Sequence, residues 1–204
     1  MSEEEVTGER EKSLQDIRKE AEERACAVQR VLYFLEQFLS GPMCGRCFPC
    51  AFGSYEARSR IGRFMRRSGK AGSADIEVLK RIGTQMVEGS RCKKGKDTGK
   101  FITDTVNAAE QEITEHIFGR CPQRECAELV EFVITPGLCT ACGKCAEACR
   151  YGAIIGEKKK TFLAGYLPFE IRQKRCTKCG ECVKVCPTGA VEIVSVKTDE
   201  LVNR

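Results

Sequence analysis

The residues best suited to chemistry are cysteines at fixed spacing. Cys176, Cys179, Cys182 and Cys186 read C-x2-C-x2-C-x3-C, followed by Pro187, and Cys139, Cys142, Cys145 and Cys149 repeat the pattern upstream. This is the spacing of cubane iron–sulfur ligation. Three close thiolates can grip one face of a cube, and the fourth must come from elsewhere. Where two runs occur together, each supplies the fourth ligand of the other's cluster. The expected sets are therefore Cys139, Cys142, Cys145 with Cys186, and Cys176, Cys179, Cys182 with Cys149. A zinc ribbon, the alternative, uses isolated C-x2-C pairs.

A third run, Cys44, Cys47 and Cys50, has no fourth cysteine nearby, and the next in the chain is Cys92. Two helical segments lie between, about 55–68 and 74–88. A helical hairpin would return Cys92 to the first three, which makes Cys44, Cys47, Cys50 and Cys92 the expected ligands of a third [4Fe–4S] cluster. A structural zinc site is the alternative.

Three of the fifteen cysteines remain: Cys26, Cys121 and Cys126. His116, the single histidine, precedes Cys121 and Cys126 at equal steps of five. Together they form a Cys3His set, typical of closed structural zinc. Zinc there would pin the first helix to the end of the last. Alternatively, Cys26 is a small buried hydrophobe.

Composition narrows the classes. The chain has 204 residues, enough for one or two domains. An odd number of cysteines fits poorly with complete disulfide pairing. The acidic start (Glu3, Glu4, Glu5) has no apolar segment behind it, so no secretory signal is expected. The stretch from Val31 to Leu35 is broken at Glu36, far short of a membrane span. A reducing cytoplasm, in an anaerobe, is the expected setting. The formal charge of +5 could suggest nucleic acid, but binding three clusters and a zinc through thiolates turns it slightly negative. Lys158, Lys159 and Lys160 lack interleaved aromatics for base stacking and read as a solvated turn. The stretch from Gly95 to Lys100 fails the P-loop pattern, because Phe101 stands where Ser or Thr is required. No G-x-G-x-x-G follows a strand, and no catalytic set is visible.

Periodicity supplies the scaffold. Leu14, Ile17, Ala21, Ala25, Val28, Leu32, Leu35 and Leu39 mark one face of a single long helix over 10–39, ended by Gly41 and Pro42. Ile76, Leu79, Gly83 and Met86 mark another, ended by Gly89. Ile102, Val106, Ala109, Ile113 and Ile117 mark a last helix over 98–118, with Gly119 as its C-cap. The stretches 129–134 and 191–196 read as paired strands, and 153–155 with 161–171 as a hairpin. The two cysteine runs are a weak internal repeat: Cys149-Arg150-Tyr151-Gly152-Ala153-Ile154 against Cys186-Pro187-Thr188-Gly189-Ala190-Val191. The expected fold is α+β, a four-helix iron–sulfur domain over 1–128 and a domain holding the two exchanged clusters over 129–204.

The second domain resembles bacterial 2[4Fe–4S] ferredoxins. The run from Cys44 to Cys50 with Cys92 resembles the C-terminal iron–sulfur domain of the NADH-binding flavoprotein subunit of respiratory complex I. The family pattern there is Glu-Ser-Cys-Gly-Lys-Cys-x-Pro-Cys-Arg. This chain keeps the cysteines, Gly45, a basic Arg46 and Pro49, but has Pro42 and Met43 in front and Ala51 behind. The ending from His116 to Pro122, followed by two cubane runs, resembles subunits of bifurcating and NADP-reducing hydrogenases. These also carry a cysteine before the aromatic patch of the first helix, as Cys26 precedes Tyr33 and Phe34. The relatives have an upstream flavin and NADH domain, whereas about 25 residues precede Cys26 here. The resemblance thus carries over the clusters and not the NADH chemistry.

A chain of this build with three cubanes looks like the small iron–sulfur subunit of class II benzoyl-CoA reductase. That resemblance implies an electron-transfer subunit beside a tungsten-pterin catalytic subunit of the aldehyde:ferredoxin oxidoreductase type, with further redox subunits in a larger complex and no catalytic residues of its own. Departures are Arg150, where proline often follows the fourth cysteine, and a longer segment between the runs. Tyr166, Leu167, Pro168 and Phe169 in that segment form a candidate docking surface. The alternatives are the wiring subunit of a hydrogenase, formate dehydrogenase or NAD(P)H-linked complex, and, in another class, a zinc or iron–sulfur module for nucleic acid.

Overall fold

The computed structural model describes residues 12–66, 71–160 and 165–196. It divides into two units, Met1–Phe118 and Gly119–Arg204. The described part of the first unit is helical: α1 (Leu14–Glu22), α2 (Ala27–Ser40), α3 (Phe48–Arg63), α4 (Ser73–Gly89), α5 (Lys93–Ala108) and α6 (Glu110–Ile117).

Six helices stand where the sequence suggested four, because two long ones are broken. The expected helix over 10–39 stops at Glu22 and restarts at Ala27 (residues 10 and 11 lie outside the described part). Ser13 caps α1 reciprocally with Asp16. The bend is held by side chains that satisfy its backbone. Arg30 donates to the carbonyls of Arg24 (3.2 Å) and Ala25 (3.0 Å), and Glu112 accepts from the N–H of Ala27 at 2.8 Å. The buried stripe also turns. Val28, Val31, Phe34, Leu35 and Phe38 are buried, whereas Leu32 and Leu39 are half-buried and Ala25 is exposed. The second break falls at Ala109, whose φ of −122° and ψ of 26° leave the helical region. Ile102, Val106 and Ile113 are buried as expected, but Ala109 and Ile117 are half-buried.

Phe34 stacks on Phe101 of α5 with ring centroids 4.1 Å apart, beside buried Phe38. Each fully buried aromatic of this kind contributes about 1.5–3 kcal/mol. Helix α3 begins inside the first cysteine run, with Cys47 as N-cap and Pro49 in its first turn. It extends to Arg63, and Ser68 and Gly69, expected to end it, lie outside the described residues. Arg60 of α3 pairs with the buried Asp75 of α4 at 2.6 Å, and Asp75 also accepts from the N–H of Gly72, the N-cap of α4.

Helices α3 and α4 form the expected hairpin that returns Cys92, the N-cap of α5. Helices α4 and α5 then pack closely through Gly83 and Gly99. A β-carbon on Gly83 would sit 2.8 Å from the Gly99 carbonyl oxygen, and one on Gly99 would sit 2.6 Å from the Gly83 carbonyl oxygen.

The second unit contains a short 3-10 turn (Ala127–Leu129), β1 (Val130–Ile134), α7 (Lys144–Ala148), β2 (Ile154–Ile155), β3 (Glu170–Ile171), α8 (Glu181–Val185) and β4 (Val191–Ser195). As expected, β1 and β4 pair antiparallel, with Phe132 opposite Ile193 and Ile134 opposite Val191. Strands β2 and β3 also pair antiparallel, with Ile154 opposite Ile171. Of the hairpin stretch expected over 161–171, residues 161–164 lie outside the described part. The core collects Val130, Phe132, Ile154, Phe169, Ile171 and Val191 around the cysteines. Among the described residues no helix is long and apolar enough to cross a membrane.

Two glycine substitutions should move stability in opposite directions. Gly83→Ala forces a methyl into backbone and should cost about 1–3 kcal/mol. Gly62→Ala in α3 meets nothing within 4 Å and should gain about 0.5–1 kcal/mol from helix propensity. Denaturant midpoints of the two variants check both signs; equal midpoints would exclude a tight α4–α5 crossing.

Candidate iron-sulfur and metal centres

The second unit shows why the repeat forms two sites. One constant offset, from Cys139 to Cys176, also carries Ala141 to Lys178, Gly143 to Gly180 and Gly152 to Gly189. The backbone follows it. Ala141 and Lys178 take left-handed φ values of 53° and 60°, and Gly143 and Gly180 take 81° and 80° as the N-caps of α7 and α8. Left-handed φ outside glycine costs of order 1 kcal/mol, so the same strained residue in both halves points to a required turn. Here the turn lies within the C-x2-C pair of each run. The hydrogen bonds repeat too: the N–H of Thr135 donates to Ala190 O at 2.8 Å, and that of Arg172 donates to Ala153 O at 2.7 Å.

Two pockets result, each lined by four thiols. One is lined by Cys139, Cys142, Cys145 and Cys186, with Ile134, Pro187 and Val191. The other is lined by Cys149, Cys176, Cys179 and Cys182, with Phe132, Ile154 and Ile171. These groupings match the exchanged sets expected from spacing. The donor set fits a cubane: four sulfurs between apolar walls.

The electrostatics show how crowded these thiols are. Burial pushes the Cys182 thiol up to about 11, and Cys176 and Cys179 push the same way, with Cys145 adding from the neighbouring set. Burial likewise raises Cys145, with Cys139, Cys142 and Cys186 adding to it. Such groups release their protons when a cation joins them. Backbone donors act in the other direction. Burial pushes Cys186 up, but the N–H and hydroxyl of Thr188 and the N–H groups of Val191 and Ala190 outweigh it and hold the thiol below its usual range. On the other set, the N–H of Ala153 donates to Cys149 Sγ at 3.4 Å.

The first unit brings Cys92, the N-cap of α5, to the run at the start of α3. Burial pushes Cys50 up to about 11, and Cys47, Cys92 and Cys44 each push it further. The N–H of Arg91 faces Cys47 and holds its thiol below the usual value. This donor, like Thr188, gives no sequence signal, because any residue supplies a backbone N–H.

The remaining candidates also converge. One ligand atom from each of Cys26, His116, Cys121 and Cys126 comes within 4.8 Å of the others, and all four residues are buried. His116 Nδ1 donates to the Glu112 carbonyl at 2.8 Å, which leaves Nε2 toward Cys26 Sγ at 3.4 Å. A carbonyl that fixes the histidine tautomer in this way is typical of metal-ligating imidazole. The side chain of the same Glu112 holds the first N–H of α2. Spacing could not reveal Glu112, although its position four residues before His116 on one helix is the available signal.

Comparison with known proteins supports iron–sulfur binding. Residues 30–116 match the NADH-ubiquinone oxidoreductase-F iron–sulfur binding region, and residues 138–191 match the 4Fe–4S dicluster domain. The chain is 32% identical over 143 residues to HndC, a subunit of the NADP-reducing hydrogenase of Solidesulfovibrio fructosivorans, covering 68% of this chain and 28% of the relative. It is 29% identical over 102 residues to the F-type subunit of the NADH-quinone oxidoreductase of Streptomyces coelicolor, covering 50% of this chain and 22% of the relative. The chain thus spans about a quarter of the length of these curated relatives. It is an iron–sulfur protein in which a binding region of the NADH-ubiquinone oxidoreductase-F kind precedes a 4Fe–4S dicluster domain.

Proposed function

We propose that this chain is an electron-transfer subunit carrying three [4Fe–4S] clusters, which relays electrons to or from a catalytic subunit. The observation that carries the reading is the sorting of twelve cysteines into three groups of four, two of them within one duplicated domain. Cys44, Cys47, Cys50 and Cys92 hold one cluster. Cys139, Cys142, Cys145 and Cys186 hold the second, and Cys176, Cys179, Cys182 and Cys149 the third. The clusters supply one-electron chemistry. The protein fixes their positions through the thiolates and tunes them through N–H donors such as those of Arg91, Thr188 and Ala153. Cys26, His116, Cys121 and Cys126 hold a structural zinc, which has no redox role of its own.

The proposed partner is a tungsten-pterin subunit of the aldehyde:ferredoxin oxidoreductase type, as in class II benzoyl-CoA reductase, on the resemblance of a three-cubane chain of this build. A second reading, the wiring subunit of a hydrogenase, is favoured by the 32% identity to a subunit of an NADP-reducing hydrogenase. Anaerobic co-purification separates them: tungsten with the complex supports the first, and a nickel- or iron-dependent hydrogenase subunit the second.

Chemical analysis of anaerobically isolated protein should give roughly twelve irons and twelve sulfides per chain. Four zincs without iron would overturn the reading. The exchange of fourth ligands has its own signature. Cys186→Ser should remove about four irons and alter the same EPR signal as Cys139→Ser. If it instead matches Cys176→Ser, the ligand sets are wrong.

Zinc is tested separately. His116→Ala should lose one zinc per chain and lower the unfolding midpoint by about 5 °C or more, with iron content unchanged. Wild-type protein that contains no zinc refutes the site.

A further inference from the structure

A hydroxyl beside the first cluster site has no use within the protein. Ser90 is 4% exposed, and its Oγ has no hydrogen-bond partner among the described residues. Leaving a buried hydroxyl unpaired costs about 1–3 kcal/mol, so a native serine held this way implies an acceptor other than protein. Its backbone is already satisfied, because the N–H of Ser90 closes α4 by donating to Met86 O at 3.1 Å. The side chain is therefore not needed as a cap.

Its position identifies the acceptor. A β-carbon placed on Gly95 would lie 2.7 Å from Ser90 Oγ and 3.1 Å from Cys50 Cβ. The hydroxyl and the β-carbon of Cys50, the most buried cysteine of the set, thus flank one point, which a bare glycine leaves open. Ser90, Arg91 and Cys92 are consecutive in the α4–α5 turn. Arg91 turns its N–H toward Cys47, and Cys92 belongs to the same thiol set. Pro49 closes on the preceding residue, since a β-carbon on Gly89 would lie 3.0 Å from Pro49 Cγ. Carbon thus packs beside the turn, and sulfur is the acceptor that the corner offers.

We propose that the Ser90 hydroxyl donates a hydrogen bond to a sulfur of the cluster held by Cys44, Cys47, Cys50 and Cys92, and so raises its reduction potential. The inference rests on the assignment of that cluster made above. One added electron makes the sulfurs better acceptors, so the bond is stronger in the reduced state and favours reduction. Ser90 is a positioning and tuning residue, not a ligand.

The test is an EPR-monitored redox titration of the full chain with Ser90→Ala and Ser90→Thr. Ser90→Ala should lower the reduction equilibrium of this cluster roughly tenfold, about 59 mV for a one-electron couple. Ser90→Thr, which keeps the hydroxyl, should stay near wild type. ENDOR of the reduced cluster should lose one exchangeable proton coupling in Ser90→Ala. Full iron content with an unchanged potential and unchanged coupling overturns the proposal. A failure of the underlying assignment reads differently: Cys92→Ala would then lose no iron.

Discussion

Each cube requires four thiolates on a small sphere, and one short stretch of backbone presents only three. The rest of the structure follows from this shortage. In the second unit duplication answers it: the last cysteine of each run lines the pocket formed by the other run. In the first, the α3–α4 hairpin brings Cys92 back toward Cys44, Cys47 and Cys50. Cys92 is also the N-cap of α5, which crosses α4 where Gly83 and Gly99 face each other. The packing of that helix pair is thus tied to the position of a thiol.

The same crowding keeps some of these thiols protonated. Cys50 and Cys182, each among three other sulfurs, are pushed up to about 11, while Cys47 and Cys186 are held down by backbone N–H groups. Burial and neighbouring sulfurs thus resist ionisation at some ligands, while N–H donors prepare others for it. A cation removes the conflict, since it neutralises the repulsion that burial magnifies. With a cluster bound, the same N–H donors would help to set its potential.

The grouping of twelve cysteines was legible from spacing, because the run leaves a rigid local signature. The place of Cys149 and Cys186, each beside the other run, could be read from the repeat, and the return of Cys92 from two helical segments of matching length. The pairing of β1 with β4 followed from period-two alternation. Helix continuity was not legible at 22–27 or at Ala109. At the first of these the apolar steps of three and four run on, but the chain bends where Arg30 and Glu112 bind backbone groups across the gap. Periodicity reports which residues want burial, and it is silent on side chains that stabilise a break. Backbone donors escaped for a similar reason, since Arg91 and Thr188 act through N–H groups that carry no residue identity.

The duplicated domain is symmetric in its turns and ladders, yet its two sites have different surroundings. Over the set containing Cys139, the inserted segment closes on the ligand loop. The hydroxyl of Tyr166 donates to Cys139 O at 2.8 Å, the N–H of Lys159 donates to Ala141 O at 3.1 Å, and Lys158 lies against Gly143 while pairing with Glu147. At the other set the equivalent loop sends Lys178 to the Ala127 carbonyl. Equal ligands under unequal cover need not share a potential, because solvent exposure and nearby charge both set it. Of the two lysines above the first loop, Lys158 is paired with Glu147 and Lys159 lies over the Tyr166 ring, 4.9 Å from its centroid. Two clusters bound at these sets would therefore meet different hydrogen bonds and different local charge, although the turns that present their ligands match.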